Sequence, residues 1–260
     1  MTQDAAGHSR RIVEQFTQQA APFRQMAIHS DREAFELVLQ ACALRSDDRV
    51  LDVACGPGLT ACAFAAVEAE VTGIDLTPAM IGEAQALQNE KGLGNVNWTV
   101  GDVTALPYAD GAFTLAFSRY AFHHMLDPGA VLREMVRVTA PGGRVVVVDV
   151  YTSSPEQAAR YDQVERLRDP SHVRALGLDE LDGLFERAGL TGVSTSFYNL
   201  DVALDALLGS SFPDPGAADE IRRIFAEDIG RDLLGVGARR VDDATRFAFP
   251  IAILAARKPG

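Results

Sequence analysis

Between residues 49 and 150 the chain repeats one unit: a short apolar run ends on a glycine or a polar residue, and a stretch with helical spacing follows. The runs are R-V-L-D-V at 49–53, V-T-G-I-D at 71–75, V-N-W-T-V at 96–100, A-F-T-L-A-F at 112–117 and R-V-V-V-V-D-V at 144–150. Helices are expected at 59–69, from Thr77 to about Lys91, and at 128–139. Thr77 is the expected N-cap, Pro78 the first helical residue and Gly92 the stop. Four consecutive valines suit a central strand covered on both faces. Strand–helix alternation of this kind predicts a parallel sheet with right-handed crossovers.

The flanks are less regular. Helices are predicted at 11–21, ended by Pro22, and from about Asp31 to Leu44. Past Tyr151 come helices at 155–168 and 179–188, a strand at 193–198 and a helical insertion at about 201–240, broken by Pro213 and Pro215. A last strand is expected at 247–256. The expected fold is α/β: a doubly wound, Rossmann-like, mostly parallel seven-stranded sheet with helices on both faces. It would form one structural domain, with an N-terminal helical lid (1–45), a cofactor-binding half (46–150) and a substrate-side half (151–260) carrying the insertion.

Composition narrows the partners. A chain of 260 residues with 47% hydrophobic and 23% charged residues can build a real core. Its net charge of -12 opposes nucleic acid and anionic membranes. The three cysteines, Cys42, Cys55 and Cys62, show neither a disulfide framework nor a zinc spacing. The first residues are polar, lack the apolar core of a signal peptide and read as loose; no apolar window is long enough to span a membrane. A cytoplasmic protein with a small-molecule partner is expected. The sequence leaves the oligomeric state open.

Ligands of an open parallel sheet sit beyond the carboxyl ends of its strands, at the switch point. Those ends carry Gly56 and Gly58, Asp75, Asp102 and Ser118. Glycine lets backbone approach a ligand closely. A carboxylate at Asp75 can accept both hydroxyls of a ribose, and Asp102 can accept from an adenine amine. Gly56 to Ala61 also fits G-x-G-x-x-A, so a nicotinamide-dependent oxidoreductase is the chemical competitor. Against it stands Asp52, just ahead of the glycines, where it would repel a pyrophosphate and welcome a cation.

V-L-D-V-A-C-G-P-G (Val50 to Gly58) resembles motif I of the class I S-adenosylmethionine-dependent methyltransferases. V-T-G-I-D-L-T-P-A-M-I, G-D-V-T-A-L-P-Y-A-D-G-A-F and L-R-E-M-V-R-V-T-A-P-G-G-R-V-V-V-V-D resemble the segments that follow it in that family. R-Y-A-F-H-H and R-D-P-S-H-V-R resemble the branch that includes the ubiquinone/menaquinone C-methyltransferases and many small-molecule methyltransferases.

The resemblance implies S-adenosylmethionine as cofactor, S-adenosylhomocysteine as product and a set of roles. Ala54, Cys55 and Gly56 would line the methionine part, with Asp52 near its ammonium. Asp75 would hold the ribose. Leu76 and Met80 would flank the adenine, Asp102 would accept from its amine, and Val103 would donate its N–H. Ser118 would contribute backbone, and Phe16 and Phe23 would close over the cofactor. A fold of this type that uses the cofactor for another reaction is a further alternative.

Methyl transfer is an in-line displacement, so alignment and water exclusion supply much of the acceleration. A base is needed only where the nucleophile must lose a proton early. Histidine suits that task, which makes His123, His124 and His172 the candidate bases, with His123 expected against the cofactor. Adjacent side chains converge poorly on one ion, so no metal is expected. Arg119, Tyr120, Tyr151, Phe197 and Phe212 are candidate acceptor contacts, as is the loop near Gly235 to Gly237, under an apolar cover that suits a hydrophobic or aromatic acceptor. The atom methylated is not written in these motifs.

Overall fold

A computed structural model describes residues 5–25, 32–67, 69–214 and 216–260. The expected loose start at residues 1–4, the helix start at Asp31 and the break at Pro215 lie outside these residues. The repeating unit folds as its pattern predicts. Strands β1 (Arg49–Val53), β2 (Glu70–Asp75), β3 (Val96–Val100), β4 (Phe113–Arg119) and β5 (Thr139–Thr152) are joined through helices α3 (Leu59–Ala65), α4 (Pro78–Lys91) and α5 (Pro128–Val138). Helices α1 (Ala5–Gln25) and α2 (Arg32–Cys42) precede them. After them come α6 (Pro155–Arg168), β6 (Leu176–Gly177), α7 (Leu178–Arg187), β7 (Thr191–Ala203), α8 (Leu204–Ser211), α9 (Ala217–Asp228), β8 (Arg239–Val241) and β9 (Ala244–Arg257).

Among the described residues the sheet runs β3-β2-β1-β4-β5-β9-β7, with β6 paired to β5 and β8 to β9. β1 to β5 are parallel, and β9 is antiparallel to both β5 and β7. Strand periodicity divides the valines of β5 between two cores. Val146 and Val148 pack with Phe64 of α3, Val164 of α6 and Phe225 of α9; Val145 and Val147 pack with Leu132 and Met135 of α5 and Phe185 of α7. The strand order reverses between β1 and β4. Register aligns the carboxyl ends there, with Asp52 beside Phe117 and Arg119 beside Val148.

Several boundaries differ from the sequence reading. α1 starts at Ala5 and continues through Pro22. A proline this near the C-terminal end costs the helix one late hydrogen bond rather than its middle. α3 closes at Ala65, where the Ala66 N–H bonds Cys62 and Phe64 carbonyls. Thr77 occupies the N-cap of α4, but its hydroxyl makes no capping bond. Pro141-Gly142-Gly143 lies within β5, because Gly142 and Gly143 exchange backbone hydrogen bonds with Lys258. β7 extends to Ala203, so the helical insertion reduces to α8 and α9.

Candidate active site

The strand ends border a cavity of about 420 Å³ at the β1/β4 switch point. Two tight backbone positions shape it. Ala54, just after β1, has φ 56°, and Tyr120, just after β4, has φ 56°. Left-handed backbone at non-glycine residues is uncommon and is held in place only by its surroundings. The Tyr120 N–H is tied to the Val148 carbonyl at 2.7 Å, and the Cys55 N–H to the Ile74 carbonyl at 3.0 Å. Gly56 also takes a positive φ (52°), and a Cβ there would point into open space.

The carboxylates of this cavity differ in their surroundings. Asp75 accepts from the Gly56 N–H at 2.9 Å and the Thr77 N–H at 2.8 Å, and burial raises its pKa. Asp52 is 2% exposed, and its Oδ2 has no partner among the described residues. Burial, helped by the Asp75 charge and opposed by Arg119, pushes Asp52 up to about 8. Arg119 reaches the same cavity, stacks 4.5 Å over the Tyr120 ring and keeps its buried Nε without a partner. Asp52 and Arg119 thus set a carboxyl group and a guanidinium in the lining of one cavity, a pairing that suits the two ends of a zwitterionic ligand.

A second cavity, about 90 Å³, shares Phe16, Phe23, Tyr120 and His124 with the first in its lining. His123 faces it. Its Nδ1 lies 2.6 Å from Asp149 Oδ1. The Phe122 N–H donates to Asp149 Oδ2 at 2.6 Å and the Val150 N–H to Oδ1 at 2.7 Å. Three donors hold this carboxylate ionised and below the ordinary range despite full burial. Burial lowers the His123 pKa, but the Asp149 charge and hydrogen bond outweigh it and the net direction is up. With its proton on Nδ1, the imidazole presents the Nε2 lone pair.

His124 is the opposite case. Burial, reinforced by His123, pushes it down to about 3. Ser171 Oγ donates to Asp169 Oδ1 at 2.6 Å, so His124 Nδ1–H donates to that hydroxyl at 3.1 Å. The His124 carbonyl accepts from His8 of α1 at 2.7 Å. His172 lines neither cavity. Its Nε2 bonds Asp162 at 2.8 Å, and its ring packs 5.6 Å from His123.

The cofactor candidates Asp52, Ala54, Cys55, Gly56, Asp75, Leu76, Met80, Asp102, Val103, Phe16 and Phe23 are brought together around the large cavity. Three others are not. Gly58 lies under Trp98 and Ala84, which a Cβ would meet at 2.5 and 2.7 Å. Ser118 is fully buried and donates to the Val53 carbonyl. His123 lines the smaller cavity rather than the larger. Arg119 and Tyr120, expected at the acceptor, border the larger cavity, and Tyr120 borders both.

Tyr151, Phe197 and Phe212 line neither cavity, nor does the loop at 235–237. Phe197 and Phe212 are each 48% exposed, and Tyr151 packs on Phe197 at 5.4 Å. The histidine pair also departs from expectation. A single 3-10 turn, Phe122–His124, sets both rings side by side with centroids 4.2 Å apart.

Sequence reasoning missed Asp149, Gln19, Tyr161, Glu165 and Arg168. A signal existed for the last three: Tyr161, Glu165 and Arg168 stand at i, i+4 and i+7, one face of α6. Asp149 is the lone carboxylate in an apolar run.

Comparison with known proteins agrees with this geometry. Residues 51–147 match the model of the methyltransferase domain. The chain is 33% identical over 192 residues to the uncharacterized methyltransferase YcgJ of Bacillus subtilis (strain 168), covering 74% of this chain and 76% of that one. The YcgJ crystal structure superposes with a TM-score of 0.80 at 27% identity, over 88% of this chain and 99% of that chain. A candidate methyltransferase from Bacillus halodurans C-125 superposes at 0.76 with 26% identity, over 88% and 100%. The 27-O-demethylrifamycin SV methyltransferase of Amycolatopsis mediterranei (strain S699) is 32% identical over 151 residues, 56% of this chain and 55% of that one. These likenesses overturn the nicotinamide-dependent alternative: the chain belongs to the S-adenosylmethionine-dependent methyltransferases.

Proposed function

We propose that the enzyme methylates a hydroxyl of a small organic acceptor, with His123 taking the proton and Asp149 orienting it. The observation that carries this reading is the 2.6 Å His123–Asp149 contact in the wall of the smaller cavity. A nucleophile that carries no proton to lose has little need of a buried carboxylate behind a histidine. An acceptor O–H does, because its proton must leave as the new bond forms. The relative from Amycolatopsis mediterranei bears an O-methyl transfer in its name, in keeping with this reading. His124 is a poorer base than His123, because its environment already suppresses protonation at about 3.

Bound S-adenosylmethionine supplies an activated methyl group. Asp52 would face the ammonium, giving up its proton as that charge arrives, and Arg119 the carboxylate of the methionine end. Asp75 would hold the ribose hydroxyls with the lone pairs its two backbone donors leave free. Leu76 and Met80 would flank the adenine, and Asp102 and the Val103 N–H would read its edge. Phe16 and Phe23 would cover both cavities and keep water out. Their shared apolar wall suits an acceptor with a hydrophobic or aromatic skeleton.

The test separates chemistry from binding. His123→Asn should lower single-turnover methyl transfer to an identified acceptor by about 10² or more. Its S-adenosylhomocysteine affinity, read by calorimetry, should stay within about twofold of wild type. Undiminished turnover would remove His123 from the reaction.

A further inference from the structure

The smaller cavity holds two polar groups that the proton-transfer step does not use. Tyr161 is 6% exposed and Gln19 is 2% exposed. Both line this cavity and not the larger one. The Tyr161 hydroxyl makes no hydrogen bond among the described residues, and it is not one of the unpartnered atoms sealed inside packed protein. The same holds for Gln19 Oε1. Its Nε2 is committed to the Ser211 carbonyl at 3.0 Å, which also settles which end of the amide is the oxygen. Neither free atom is sealed in packed protein, and both residues line the cavity. Burial and the nearby Glu165 charge raise the Tyr161 pKa, so its hydroxyl keeps its proton.

Buried polar groups without partners are rare because each forfeits its hydration. Gln19 Oε1 needs a donor. The Tyr161 proton needs an acceptor. A carbonyl on the ligand would serve Tyr161 and not Gln19; an ammonium would serve Gln19 and leave the Tyr161 proton unpaired. A hydroxyl has the chemistry for both, since it can donate to Gln19 Oε1 and accept from the Tyr161 hydroxyl. Arg168 and Glu165, in the same wall, are already paired with each other through contacts of 2.5 to 3.3 Å, so neither demands an ionic ligand.

The walls around these groups, Leu200, Leu207, Phe249 and Ile251, are apolar and suit a carbon skeleton. A water needs on the order of 10–15 Å³ on this measure. A cavity of about 90 Å³ then holds roughly six to nine groups of that size, a small ring with its oxygens.

We infer that the acceptor is a vicinal diol: one hydroxyl meets His123 and is methylated, and its neighbour donates to Gln19 Oε1 and accepts from the Tyr161 hydroxyl. This rests on the smaller cavity being the acceptor site. The diol can be aromatic or saturated, and the experiment distinguishes the two.

Calorimetry on the S-adenosylhomocysteine-loaded protein would compare catechol with phenol, and cis-1,2-cyclohexanediol with cyclohexanol. At least one diol should bind about tenfold or more tightly than its mono-ol, since a site built around a hydroxyl rejects the analogue lacking it. Tyr161→Phe and Gln19→Met should each cut that ratio toward one, with S-adenosylhomocysteine binding reporting that the variants are folded. Equal binding of diol and mono-ol, no binding of either diol, or a preference that survives Tyr161→Phe would overturn the inference and leave the two groups as holders of water. A diol that binds selectively and is methylated as fast by His123→Asn as by wild type would keep this inference and sink the proton-transfer reading. Failure to bind S-adenosylhomocysteine at all would instead count against the cofactor placement.

Discussion

Asp149 decides which of three clustered histidines can act as a base. His123, His124 and His172 sit within a few ångströms of one another, yet only His123 combines a carboxylate on Nδ1 with a face on a cavity. Its pKa lies above the ordinary 6.5. The reactive form is neutral, so the rate should fall as pH drops through a value above 6.5, read as the acid limb of a single-turnover profile. Asp149→Asn should lower the rate by about 10²–10⁴ and move that limb to lower pH, because the carboxylate no longer favours the imidazolium.

Asp52 is the complementary case. Its pKa rises from 3.8 to about 8, so the folded protein holds a proton that the unfolded chain has lost. Stability on this account falls as pH rises between those values. Asp52→Asn should therefore raise the melting temperature of the cofactor-free protein at pH 8 by about 2 °C or more. The same change should weaken S-adenosylmethionine binding in calorimetry.

Elements show why motif residues differ in what they do. Gly56 and Gly58 look equivalent in C-G-P-G, and both take positive φ. Only Gly58 is walled in, by Trp98 of β3 and Ala84 of α4. Gly58→Ala should destabilise the fold by about 1–3 kcal/mol in urea unfolding, through overpacking and strain together. Spacing alone showed two glycines in a turn; the role of each depended on which elements crossed above them. The strands β1, β4 and β5 were legible because burial on both faces writes nearly continuous apolar runs, and the edge strand β3, only partly buried, because β-branched and aromatic residues fill V-N-W-T-V. α1 was not fully legible. A proline reads locally as a break, but its cost depends on where in the helix it falls, and Pro22 falls near the end.

Across the whole molecule, α1 bridges the two cavities without belonging to either core. None of its described side chains joins the sheet-flanking clusters. It is held by His8 on the His124 carbonyl, by Gln15 and Gln19 on the Ser211 carbonyl, and by Arg24 on Glu83 and Glu90. Phe16 and Phe23 from this helix wall both cavities. A chain lacking residues 1–25 should lose only the helical dichroism of α1 and keep a cooperative unfolding transition. It should bind S-adenosylhomocysteine about tenfold or more weakly; unchanged affinity would show that α1 is no part of the site.

The order of strands, the switch point and most of the cofactor cavity follow from local pattern, because parallel strands and their carboxyl-end turns are encoded by residues near one another in the chain. Asp52, Gly56, Asp75 and Asp102 are of this kind. The smaller cavity was decided by tertiary structure. Gln19 of α1, His123, Asp149 at the end of β5 and Tyr161 of α6 converge across more than 140 positions of sequence. Phe197 and Phe212, plausible by type, ended at the surface. Side-chain chemistry proposes such a pocket only once packing has chosen its walls, and that choice rests on contacts between segments that carry no common local signal.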